Sequence, residues 1–138
     1  MVEFSTFRLK TKCVAEVLCM IHNNVLLEKT LDFSVRVVRS YQYLIKEKHE
    51  EVMSRQLLRS ATSIGANARE AVYGTSKQDF IAKLHIALKE TSETEYWLIL
   101  LQRTAYLSDR QAESLLSDCL AIKKILVSTL NTCKESSI

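Results

Sequence analysis

Proline is absent from this 138-residue sequence and glycine occurs only as Gly65 and Gly74, where average usage of the two would supply roughly sixteen. Tight turns are correspondingly scarce. β-Sandwiches and barrels need a turn residue every few positions, and a phosphate-cradling loop needs clustered glycines, so most β and nucleotide-binding α/β designs are excluded. No apolar run approaches the ~18 residues that span a bilayer, so no membrane partner is expected. The four cysteines, Cys13, Cys19, Cys119 and Cys133, show no CxxC spacing, which fits a reducing, cytoplasmic setting. The apolar segment 13–21 follows Arg8, Lys10 and Lys12 as a signal peptide would, but Glu16 interrupts it and no small-residue cleavage site follows. None of His22, His49 or His85 has a Glu three residues before it, so the Glu-x-x-His pattern of di-iron bundles is missing. No metal or cofactor is expected.

What is present is hydrophobic residues at 47% and charged residues at 25%, the composition of one ordinary helical domain. Four stretches carry helical periodicity. The first, about 24–48, places Leu27, Leu31, Val35, Val38, Tyr41 and Ile45 at spacings of three and four, with Asn23 or Asn24 as cap. The second, about 51–73, lines up Leu57, Ala61, Ile64, Ala68, Ala71 and Val72 before Gly74. The third opens at Thr75 or Ser76 and carries Phe80, Leu84, Ala87, Leu88, Thr91, Leu98, Leu101 and Ala105; the fourth uses Ala112, Leu115, Cys119, Ile122, Leu126, Leu130 and Cys133. Between them, Ser108 and Gln111 form a capping box, in which hydroxyl and amide satisfy orphan backbone donors reciprocally. Connections this short predict an all-α, antiparallel up-down-up-down four-helix bundle over residues 23–138. Residues 1–22 read as an N-terminal extension, either lying upstream of the natural start or forming a short helix packed on the bundle.

The first helix has more apolar surface than one core contact needs. Phe33, Leu26, Leu44 and Val37 widen the arc beyond a Leu31/Val38 centre, which predicts self-association. Net charge is only +3, so the distribution of charge matters more than its sum. Arg36, Arg39 and Lys46 of the first helix, and Arg55, Arg59 and Arg69 of the second, occur without an intervening acid and fall away from the predicted core. They form a candidate phosphate-contacting surface, with Tyr43 able to stack on a base. The alternative is a solvated face, or pairing to Glu90, Glu93 and Glu95 of the third helix. Ser63, Asn67 and Glu70, beside Ser60, form a polar column on the second helix, and Glu95 falls in the apolar face of the third. A buried carboxylate needs partners, so these residues with Glu93 predict a structural polar network. Glu95 lacks an identifiable acid–base partner, and no enzymatic activity is expected.

The run from Gln56 to Ala71, QLLRSATSIGANAREA, followed by Asp79-Phe80-Ile81 and by the run from Ile86 to Leu98, IALKETSETEYWL, resembles the 23S rRNA intervening-sequence proteins, also called the S23 ribosomal protein family. That family is in turn similar to the accessory variability proteins of diversity-generating retroelements. The resemblance covers about 24–133 and implies a four-helix bundle assembling as a homopentamer. The retroelement relatives imply binding of RNA or DNA and of a reverse transcriptase or, in the ribosomal context, a ribosome-associated partner. Ser63, Asn67, Glu70, Glu93 and Glu95 match the family's polar positions. Ala68 stands where Ile is usual, and Ala71-Val72 replaces the usual Gly, which predicts a longer second helix. The resulting expectation is a non-enzymatic, oligomeric accessory protein contacting nucleic acid through the basic surface, or a scaffold that binds only protein.

Overall fold

The computed structural model describes residues 14–135 as four α-helices. They are α1 (Val14–Lys46), α2 (Val52–Val72), α3 (Lys77–Arg103) and α4 (Asp109–Glu135). Each helix packs on its chain neighbours, and α4 returns against α1 to close the ring. The result is the up-down-up-down bundle that short connections impose.

Helix ends follow side-chain chemistry. The Ser76 hydroxyl accepts from the Asp79 amide at 3.0 Å to start α3. Before α4, the Gln111 amide donates to the Ser108 hydroxyl at 3.1 Å while the Ser108 amide donates to Gln111 Oε1 at 2.9 Å, the reciprocal box expected from the sequence. At Gly74 an added Cβ would lie 2.4 Å from the Asp79 carboxylate, so the approach of the α2–α3 turn to α3 requires glycine. The other two turns dispense with glycine. His49 (φ 53°) and Ala105 (φ 63°) take left-handed conformations instead. At Ala105 the amides of Ala105 and Tyr106 return to the carbonyls of Gln102 and Leu101 at 3.0 Å, a Schellman closure of α3. Ala105 is therefore an exposed turn residue and not a member of the α3 core face.

The core contains Leu57, Ala61, Ile64, Ala68 and Ala71 of α2, Leu84, Ala87, Leu98 and Leu101 of α3, and Ala112, Leu115, Cys119, Ile122, Leu126 and Leu130 of α4. These are the faces that periodicity predicts. α1 corrects the expectation in two respects. Residues 1–13 lie outside the described residues, and α1 is already helical at Val14, so Asn23 and Asn24 lie within it and cap nothing. Its core face is Leu26, Thr30, Phe33, Val37 and Leu44, whereas Leu31 is 56% exposed, Val35 43% and Val38 38%. The two apolar arcs exchange roles because Phe33 fills more interior volume than any residue of the other arc, and because Thr30 lets α1 approach α2 closely: a Cβ at Gly65 would lie only 3.4 Å from that of Thr30.

Candidate nucleic-acid and assembly surface

The six basic residues singled out in α1 and α2 do not form one free patch. Arg36 points across the α1/α4 seam, where it pairs with the Asp118 carboxylate and donates to Ser114 Oγ at 2.7 Å. Arg59 points across the opposite seam to α3, pairing with Glu93 and reaching Glu90 Oε2 at 3.4 Å. Arg55 pairs one turn back with Glu51. Arg39, Lys46 and Arg69 are exposed and enter no ion pair among the described residues. Arg69 lies in a groove between α1 and α2 with Leu27, Leu31, Ser34 and Ala66. Tyr43 is partly buried against the core and is not an outward stacking platform, a consequence of the shifted core face of α1. The acids that capture Arg59 belong to the Glu90–Glu93 cluster that the sequence marks as acid-rich; Asp118, the partner of Arg36, carries no such signal.

The polar positions likewise separate into local bonds and seam pairs. Ser63 Oγ donates to the Arg59 carbonyl at 2.7 Å and Asn67 Nδ2 to the Ser63 carbonyl at 2.8 Å, both within α2. Glu70 pairs with Lys83 at 2.9 Å across the α2/α3 seam, beside the Arg59–Glu93 pair. Glu95 pairs with Lys123 at 3.3 Å on the far side of α3, at the rim of the α3/α4 seam. The five residues therefore serve two seams and not one network. Such part-exposed pairs are worth at most about 1 kcal/mol each and fix register more than stability. The fully buried polar link between helices is one the sequence reading left out of the site: Thr94 Oγ1 donates to Ser60 Oγ at 3.0 Å between α2 and α3. Its signal was the hydroxyl column that begins at Ser60.

The remaining feature is the outward strip of α1, formed by Leu31, Val35 and Val38 together with the unpaired Arg39. Val35 and Arg39 are one turn apart, so aliphatic and cationic groups share this surface. Among the described residues, no group of three or more His, Cys, Asp or Glu is placed to hold a metal, and no helix is long and apolar enough to cross a membrane.

A model of the family described as 23S rRNA-intervening sequence protein matches residues 22–128. The chain belongs to this family. Among solved structures, a protein of unknown function from the S23 ribosomal protein family of Bacteroides thetaiotaomicron VPI-5482 is similar, with 53% identity and a TM-score of 0.79 over 80% of this chain and 98% of that chain. No curated protein matches. The match to the 23S rRNA-intervening sequence family takes in all six basic residues, all five polar positions and the outward strip of α1.

Proposed function

We propose that this 23S rRNA-intervening sequence protein is a non-enzymatic accessory module that assembles with copies of itself through the outward strip of α1. The assembly carries RNA or DNA on Arg39, Lys46 and Arg69. The supporting observation is the exposure of Leu31, Val35 and Val38 on a helix whose opposite face already supplies the core. A helix apolar on two sides suits two partners, the bundle and a second surface. Closed homo-oligomers are the commonest use of such a surface, and five copies is the number implied by the family resemblance. Repetition would multiply three unpaired cations per chain into a field that one chain lacks, contacting phosphates without reading sequence.

The test is oligomer mass, with binding of structured RNA and duplex DNA across a salt series. Leu31→Glu with Val35→Glu is expected to yield a helical monomer. Arg39→Glu, Lys46→Glu and Arg69→Glu together are expected to leave the oligomer intact and lower the salt slope by about three, one per phosphate contact. A second reading is favoured by the capture of Arg36, Arg55 and Arg59 in ion pairs: a scaffold that binds only protein. An intact oligomer that binds neither nucleic acid at low salt selects that reading.

A further inference from the structure

Between the N-terminal turns of α1 and the last turns of α4 lies a cavity of ≈ 270 Å³, lined by Cys19, His22, Asn23, Ser128, Thr129, Thr132 and Cys133. Two thiols from opposite ends of the chain meet at this cavity, and no disulfide joins them. Cys19 is exposed and Cys133 half-buried. Asn23 Nδ2 lies 3.9 Å from Cys19 Sγ, while its Oδ1 is buried without a hydrogen-bond partner. Burial raises the Cys133 thiol pKa, and the nearby Cys19 raises it further against the opposing influence of Lys77; the two sulfurs are therefore close enough to sense one another. Both cysteines lie outside the 22–128 segment shared with the family model.

We propose that Cys19 and Cys133 are a paired modification site, converted by a low-molecular-weight disulfide into a covalent clasp between α1 and α4. The exposed Cys19 thiolate attacks the small disulfide, forming a mixed disulfide and releasing one small thiolate. Cys133 then attacks Cys19 Sγ, forming the Cys19–Cys133 bond and releasing the second. The protein loses two electrons and two protons, and the small disulfide takes them up as two thiols. The cavity supplies the room in which the side chains rotate to the narrow geometry a disulfide demands. The raised pKa of Cys133 makes the second step the slower one at neutral pH, accelerating as pH rises.

The test is incubation of the folded full-length chain with oxidised glutathione, followed by intact mass and peptide mapping without reductant. The wild type is expected to lose two hydrogen atoms, to yield a peptide joining Cys19 to Cys133, and to melt at least about 5 °C higher until reductant is added. Cys133→Ser is expected to stop at a glutathione adduct on Cys19, and Cys19→Ser to form no intrachain bond to Cys133. A stable glutathione adduct on the wild type, a bond from either residue to Cys13, or a cross-link between two chains overturns the proposal. Because oxidation follows folding, and the circular dichroism of each variant is recorded first, a folding defect is separable from loss of the clasp.

Discussion

Glu50 shows how much one side chain can determine. It is buried just before α2, and its carboxylate accepts from the Met53 amide at 2.9 Å, the Ser54 amide at 2.8 Å and the Ser54 hydroxyl. Desolvation pushes its pKa up, but these hydrogen bonds outweigh desolvation and hold it below the ordinary value of 4.5. A lowered folded-state pKa contributes stability that is complete above the ordinary value and is lost as pH falls through the folded one. Glu50→Gln is therefore expected to cost about 1–2 kcal/mol at pH 7, with the gap to wild type closing below pH 4.5; urea melts across pH would measure it. In the sequence Glu50 is one member of the charged run Lys46-Glu47-Lys48-His49-Glu50-Glu51, indistinguishable from solvated neighbours. Ser108, by contrast, was legible because its partner Gln111 stands at the fixed capping-box spacing. Cys119 is the inert counterpart of the paired cysteines: burial first, then Glu95, raises its pKa to about 12. It is expected to resist maleimide at pH 8 until the chain unfolds.

The elements were readable in number, order and type, and least readable where a helix carried two apolar faces. α2 and α4 each have one such face, so periodicity located their cores. In α1 the Leu26/Phe33/Val37/Leu44 face and the Leu31/Val35/Val38 face both recur at spacings of three and four, and only the volume of the closed interior decides between them. Phe33→Ala is expected to cost about 3–5 kcal/mol. Leu31→Ala should stay within about 0.5 kcal/mol at concentrations where the chain is monomeric. A reversed order in chemical denaturation would contradict this assignment of faces. Helix ends were legible where a hydroxyl caps them and obscure where ordinary residues adopt positive φ. Ala105→Gly removes the Cβ penalty at such an end and is expected to raise stability by about 0.5–1 kcal/mol, seen as a higher melting temperature.

For the whole molecule, the architecture followed from scarce turn residues and short connections, whereas the fate of the charges did not. Which arginine meets which acid depends on how helices rotate against each other, and a rotation of one position along α1 moved Arg36 into a seam and Tyr43 against the core. The ring of helices has one more property, which belongs to time and not to space. Three of its seams join chain neighbours, while the fourth joins α1 to α4 through groups as far apart in sequence as Arg36 and Asp118, separated by 82 positions. Closing that seam forfeits the most chain entropy, and it is also the thinnest of the four. Hydrogen exchange under native conditions is accordingly expected to release amides of α1 before those of α2 and α3, a reversed order excluding this picture. The bundle then folds from its middle outward and joins its first and last helices at the end, so the last contact made in folding is the first one surrendered.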